Sequence, residues 1–321
     1  MRSFESLSKE FGQLFSIEHF PSEPRSLYAP NDYFLQLGGK RVRPVLCLMG
    51  NELFDEISPD AWQVATAIEL FHNFTLIHDD IMDNAPLRRG MVTVHEKFGT
   101  NTALLAGDVM LVAAYEYLNK IKTDHLKPIL ALFNKTAREV CEGQQMDMDF
   151  EKQANVSLDQ YLHMITLKTS VLLAGSLQMG AILGGAGEGN QHHLYSFGRD
   201  LGIAFQIQED YLDAFGDPEK FGKQVGGDIL ANKKTFLLIH ALEVAKGQDK
   251  SALESLLAGN DPDKVSKVLN IFRNCGVDVW ASNLKDKYLQ SAFQHLEDIA
   301  VLSARKEPLK TLAHFLVARE S

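Results

Sequence analysis

The segment from Ser58 to Asp83 limits the fold more than any other stretch of the 321-residue chain. Ser58 is suited to cap a helix, and Pro59 fits the first helical position, where its missing N–H has no partner to lose. Trp62, Val64, Ala65, Ile68, Leu70, Phe71, Phe74 and Ile77 make this helix apolar over most of its circumference, which calls for central burial. Yet its end carries Asp79, Asp80 and Asp83. Asp79 and Asp83, four apart, lie one turn above each other on the same face, where like charges repel. Carboxylates at a helix C-terminus also oppose the helix dipole. A divalent cation between them removes both penalties, and hard oxygen ligands suit Mg²⁺. The competing reading is a solvated acidic helix end, and the rest of the chain weighs against it.

A second acidic cluster repeats the pattern. Leu194, Phe197, Leu201, Ile203, Phe205 and Ile207 form an apolar helix running into Glu209, Asp210 and Asp213, with Gly216-Asp217-Pro218 to end it. If the two helices face each other across a cavity, two or three Mg²⁺ can be held between the clusters and would bind a polyanion; a diphosphate fits best. Basic residues recur beside both clusters. Lys40 and Arg43 follow a glycine pair, Arg88 and Arg89 follow the first cluster, and Lys223 and Lys233 follow the second. Lys168 sits on a helix between them. Taken singly each lysine reads as a solvated surface group. Together they supply forks and point charges for phosphate oxygens.

Elsewhere the chain reads as helix and turn. Phe4, Leu7, Phe11, Leu14 and Phe15 mark an amphipathic first helix within residues 1–20. Pro21, Pro24 and Pro30 predict an extended loop after it, then a short helix through Tyr33, Phe34 and Leu37 that stops at Gly38-Gly39. Lys40 to Pro44 forms a basic turn. Helices are expected over 101–121 and 125–143, and another from a Ser157 cap to Gly184-Gly185, with a turn over Gly187 to Asn190. A loop with Gly226, Gly227 and Asp228 precedes a helix from Thr235, and turns follow at Gly259-Asn260 and Cys275-Gly276. No strand-like alternation, short-period repeat or low-complexity linker interrupts this. The expected fold is all-α, one domain over residues 1–321.

Composition excludes some functions. A net charge of −10, with no basic tract, argues against nucleic-acid binding. No run of eighteen uncharged apolar residues predicts a membrane span. Cys47, Cys141 and Cys275 are widely spaced, without a ligand or disulfide pattern, and no secretion signal opens the chain. The expected compartment is the cytoplasm.

With these motifs in order, the chain resembles a trans-prenyl diphosphate synthase of the polyprenyl synthetase family, nearest the geranylgeranyl and farnesyl diphosphate synthases, over nearly its whole length. The matching residues are Gly39 to Pro44, Asp79 to Asp83 with Arg88-Arg89-Gly90, Lys168-Thr169, Phe205 to Gln208, and Gly216-Asp217-Pro218 with Gly222-Lys223. The resemblance implies a helical bundle around a deep central cavity, working as a homodimer. It implies Mg²⁺ on Asp79, Asp80, Asp83, Glu209 and Asp213, holding an allylic diphosphate (dimethylallyl, geranyl or farnesyl) with help from Arg88, Lys168, Lys223 and Lys233. Isopentenyl diphosphate would sit on Lys40, Arg43, His72 and Arg89. Thr169 and Gln206 would stabilise positive charge, with Gln144, Asp147, Asp210 and Asp228 behind them.

One departure stands out: the second motif begins with Glu209 where the family pattern has Asp. The extra methylene moves a carboxylate in a site that Mg²⁺ holds to ligand distances of about 2.1 Å. Product length is expected to depend on the first helix. Thr75 lies beneath Asp79, with Phe74 roughly 7 Å and Phe71 roughly 12 Å from Asp79 along the axis. Helical geometry alone does not put either ring in a tunnel. The resemblance implies that an aromatic five positions before the first Asp limits elongation, and that Thr75, without a second aromatic or an insertion, favours C20 ahead of C15. A class I terpene cyclase and a non-catalytic subunit remain as alternatives. Lys40, Arg43 and Arg89 argue against the first, and the nearly complete acidic motifs against the second.

Overall fold

A computed structural model describes residues 1–16, 18–216 and 226–318. The elements in chain order are α1 (Phe4–Phe15), α2 (Arg25–Gln36), α3 (Val42–Glu52), α4 (Pro59–Met82), β1 (Leu87–Arg88), β2 (Met91–Val92), α5 (Val94–Phe98), α6 (Thr100–Leu118) and α7 (Thr123–Lys152). There follow α8 (Leu158–Ile165), a π-helical segment (Thr166–Ser170), α9 (Val171–Leu183), α10 (Glu188–Phe215) and α11 (Gly227–Leu230). The last are α12 (Phe236–Val244), α13 (Gly247–Ala258), α14 (Lys264–Asn274), α15 (Val277–Glu297) and α16 (Ser303–Val317). The fold class is all-α, as the sequence implies.

The caps sit where the side chains predict. Ser58 Oγ accepts from the Ala61 N–H at 3.3 Å, with Pro59 opening α4 and Asp83 closing it. Ser157 and Gln160 cap α8 reciprocally, each side chain taking the other's backbone N–H. Three local expectations change. Pro30 lies inside α2 instead of in a loop, because the helix buries Pro30, Asn31 and Phe34 on its inner face; that packing offsets the lost hydrogen bond. Gly143 and Gly187 to Asn190 also fail to act as stops, since α7 continues to Lys152 and α10 begins at Glu188. The third change is a two-residue hairpin, Leu87↔Val92 and Arg88↔Met91, where no strand was expected. Its turn residues Arg89 and Gly90 both have positive φ, 53° and 76°, the geometry of a tight hairpin turn.

The chain forms two compact units. The first comprises Met1–Phe133 and Ser176–Gln191. Within it α4 packs most extensively on α6 and then on α3, and Ile68, Leu70, Phe71 and Ile77 are buried. The second comprises Asn134–Gly175 and His192–Ser321. There α12 packs on α8, α14 and α15, in a core that includes Phe150, Tyr161, Ile207, Phe236 and Phe272.

One helical stretch, Leu158–Leu183, is long and apolar enough to cross a membrane by length and composition, although 67% of its apolar window is buried inside the protein. Cys47, Cys141 and Cys275 are all free thiols.

Candidate active site

In the first unit, the end of α4 presents its three acids differently. Successive residues on a helix point about 100° apart. Asp79 is therefore half-buried and Asp83 exposed, while Asp80 turns inward and is 2% exposed. Arg88, on β1, grips Asp80: its Nε lies 2.8 and 2.9 Å from the two carboxylate oxygens and its Nη2 lies 3.5 Å from Asp79 Oδ2. Burial raises the Asp80 carboxyl above its usual range, and Arg88 partly reverses this. Both Asp80 oxygens are engaged, so of the three Asp79 and Asp83 are the more accessible to a cation.

Around the start of α3, arginine predominates. Arg41 sits in the left-handed region at φ 52° and turns its guanidinium onto buried Glu69 and over the Phe15 ring. Arg89 donates to the Gly38 carbonyl. A Cβ on Gly39 would lie 2.9 Å from the Arg89 guanidinium, so the glycine makes room for that arginine. Arg43 Nη1 donates to His72 Nε2 at 3.1 Å, and Arg43 Nε is buried with no partner. Burial, then Arg43, Arg89, Arg88 and Arg41 in turn, hold the His72 imidazole well below the usual histidine range. It is neutral and accepts from Arg43. Burial and the neighbouring Arg89 also bring the Arg43 guanidinium down to about 10. Four guanidinium groups close enough to depress one histidine form a basic cradle for an anion. Lys40 is exposed beside it.

In the second unit the corresponding helix end lies on α10. Asp210, 8% exposed, accepts from the Tyr161 hydroxyl and from Gln206 Nε2 (2.8 Å). Burial and the facing Asp228 push its carboxyl up to about 6, against the pull of Lys233. Asp213 Oδ2 accepts from the Asp228 N–H at 3.0 Å. Asp210, Asp213, Asp228 and Lys233 line one small cavity. Glu209 is half-buried one turn before Asp213. An all-carboxylate donor set that raises one of its own members toward neutrality fits Mg²⁺: the cation would supply the charge the set lacks.

The π-helical segment brings in the remaining groups. Lys168 Nζ donates to Asp147 Oδ2 at 2.6 Å, and Thr169 Oγ donates to Gln206 Oε1 at 3.1 Å. A Cβ on Gly143 would strike the Lys168 backbone, so this glycine lets α7 meet the π turn. The extra residue per turn re-aims Lys168 and Thr169, a use of π geometry common at functional sites. Gln144 is half-buried on α7. Lys223, with Asp217, Pro218 and Gly222, lies outside the described residues.

Residues Phe71, Phe74 and Thr75 all lie on α4 in the first unit. Phe71 is buried and meets Phe133 edge-on at 5.3 Å. Phe74 is half-buried and stands against the His78 ring at 4.7 Å. Thr75 Oγ donates to the His72 carbonyl at 2.7 Å.

Arg41, Glu69 and Tyr161 escape the sequence reading of the site. For Glu69 a signal existed, since an acid in the middle of an apolar helix needs a buried cation. Tyr161 carries none, because its partner lies 49 residues away.

Residues 24–275 match the family model described as polyprenyl synthetase. A short chain isoprenyl diphosphate synthase of Methanothermobacter thermautotrophicus is 38% identical, covering 92% of this chain and 91% of its own. A geranylfarnesyl diphosphate synthase of Natronomonas pharaonis is 34% identical, covering 92% and 91%. Among solved structures, a geranylgeranyl pyrophosphate synthase superposes with a TM-score of 0.95 at 42% identity, covering 100% of both chains.

Proposed function

The chain belongs to the polyprenyl synthetase family and is a short-chain prenyl diphosphate synthase; from that premise we propose that it condenses isopentenyl diphosphate with an allylic diphosphate, chiefly yielding the C20 product. The observation that carries the two-substrate reading is the arginine cradle around neutral His72, with the buried Arg43 Nε still lacking an acceptor. A second anion site of this kind has no use in a cyclase, which takes a single diphosphate.

Arg43, Arg89, Lys40 and His72 hold isopentenyl diphosphate. Asp79, Asp83, Glu209 and Asp213 are the magnesium ligands, two or three ions per active site, and both acidic sets serve the same allylic diphosphate. Asp80 positions Arg88, and Asp147 positions Lys168. Magnesium, when bound, is the Lewis acid that neutralises the leaving diphosphate. Arg88, Lys168, Lys223 and Lys233 stabilise the same group as the allylic C–O bond breaks. The isopentenyl double bond attacks the allylic cation at C1, and a proton leaves the adduct for the departed diphosphate. The hydrogen-bonded Thr169–Gln206 pair supplies oxygen atoms that stabilise the developing positive charge.

Phe74 is the proposed floor of the product channel, with Phe71 below it. A single functional domain over 1–321 is supported by the family match, which includes residues of both units. A cytoplasmic enzyme is supported by its three free thiols. A homodimer is supported by the exposed apolar residues Leu104, Leu105 and Val112 on α6, a stripe that a second copy would cover.

The test is incubation of the purified chain with labelled isopentenyl diphosphate, each allylic primer and Mg²⁺, with chromatography of the products. Linear C20 diphosphate is expected, and Phe74→Ala should shift products to C25 and beyond. A cyclic hydrocarbon, or no turnover with any primer, would overturn the reading. Unchanged products from Phe74→Ala would remove Phe74 as the floor.

A further inference from the structure

At the end of α10 opposite its acidic set, the second unit gathers a group of side chains that prenyl transfer does not use. His193 lies in the first third of α10, His295 near the end of α15, and Asp298 caps α15. One ligand atom from each lies within 4.8 Å of the other two. The two Nδ1 atoms are 3.4 Å apart. Zinc–imidazole bonds of about 2.0–2.1 Å at a tetrahedral angle place two nitrogens about 3.4 Å apart. The imidazoles therefore already have the edge length of a tetrahedral site.

Surrounding groups orient the His295 ring for metal binding. Asp200, one face along α10 and 3% exposed, puts Oδ2 3.9 Å from His295 Nε2. Asp200 is itself fixed by Arg199 Nε at 2.7 Å and Ser291 Oγ at 2.6 Å. A carboxylate on the Nε2 side draws the proton of neutral His295 to Nε2 and leaves the Nδ1 lone pair directed at His193. That is how metal-binding histidines are commonly oriented. Burial, with Arg199 and His193, lowers the His295 proton affinity against the opposite pull of Asp200. Gln294 Nε2 donates to Asp298 Oδ1 at 3.0 Å and steadies that carboxylate.

We propose that His193 and His295, through Nδ1, and the Asp298 carboxylate form a binding site for a divalent transition-metal ion, zinc by preference, with water as the fourth ligand. Two imidazoles and one carboxylate suit zinc better than the hard cations that favour all-oxygen sites. The ion ties the early part of α10 to the end of α15. His193 and Glu209 are sixteen residues apart on one helix, about 24 Å along the axis, so this metal takes no part in the chemistry at the second acidic set. It braces the helix that carries that set.

Chelator-stripped full-length protein, in excess Mg²⁺ to occupy the carboxylate sets, would be titrated with Zn²⁺ by calorimetry and with Co²⁺ by visible absorption. One zinc per chain is expected, with the intense d–d bands of tetrahedral cobalt and a Tm rise of about 5 °C at hundredfold excess over Kd. His193→Gln, His295→Ala and Asp298→Ala should each lose the bands and most of the shift. His192→Ala and Asp213→Asn should keep both. His193→Gln alters a helix surface position, and an unchanged Tm in chelator would confirm that it folds. Equal zinc binding and equal shift in His193→Gln and wild type would overturn the proposal, as would loss of the zinc signal in Asp213→Asn.

Discussion

The ends of α4 and α10 carry the same acidic spacing and handle its charge in opposite ways. On α4 the inward acid, Asp80, is neutralised by a guanidinium, and three more arginines stand nearby. On α10 the inward acid, Asp210, accepts from the neutral donors Tyr161 and Gln206 and faces another carboxylate, Asp228, with Lys233 pulling the other way. The first region can hold an anion with its own charges. The second needs a cation before it can approach one. Equal spacing in sequence thus conceals two electrostatic settings, one with arginines beside the inward acid and the other with a second carboxylate facing it.

Removing a proposed magnesium ligand is the most severe way to break the comparison. Asp79→Asn should lower kcat/KM by about 10³-fold, the scale seen when a main electrostatic stabiliser of a transition state is lost. Steady-state assay at saturating Mg²⁺ checks this, and a loss under tenfold would remove Asp79 from the ligand set. Arg43→Ala should act on one substrate only. Losing a charge-assisted bond worth about 1.5–3 kcal/mol raises KM for isopentenyl diphosphate by one to two orders of magnitude. The KM for the allylic partner should stay within twofold.

The contrast sharpens with pH. Burial and Asp228 push the Asp210 carboxyl up to about 6, and protonating it removes a negative charge that draws a cation to the neighbouring Glu209 and Asp213. Mg²⁺ affinity should therefore fall as pH drops through 6. The Tyr161 hydrogen bond lowers that carboxyl's proton affinity, so Tyr161→Phe should move the fall upward by about one unit, roughly 1.4 kcal/mol. Mg²⁺ titration by calorimetry from pH 5 to 8 would show it. An unmoved midpoint would mean that Tyr161 is only packing.

The smallest effect concerns His72. Its folded pKa lies well below 6.5, so the unfolded chain takes up a proton first. Stability is full above pH 6.5 and declines as pH falls below it, by up to about 1.4 kcal/mol per unit until the folded group also titrates. Urea unfolding of His72→Gln should lack that part of the slope.

The sequence made the two acidic helices legible because their apolar faces are local, and Ser58 and Pro59 open α4 within one turn. It also made the charges countable. It did not reveal what each acid faces. Asp80 against Arg88 depends on a hairpin of two-residue strands, too short for alternation to register. The π turn at Thr166–Ser170 depends on Gly143, more than twenty residues earlier. Pro30 reads as a breaker in the sequence because its hydrogen-bond loss is local, whereas the burial that offsets it is tertiary. Glu69 was visible, and the rule that buried charges have partners would have found Arg41.

The central claim is that both acidic sets act through magnesium on one allylic diphosphate. A double-mutant cycle tests it directly: Mg²⁺-dependent Kd of an unreactive allylic thiodiphosphate for wild type, Asp79→Asn, Asp213→Asn and the double variant. The account predicts strong coupling, with the double variant binding little worse than either single one. Fully additive losses, each variant weakening binding regardless of the other, would contradict it.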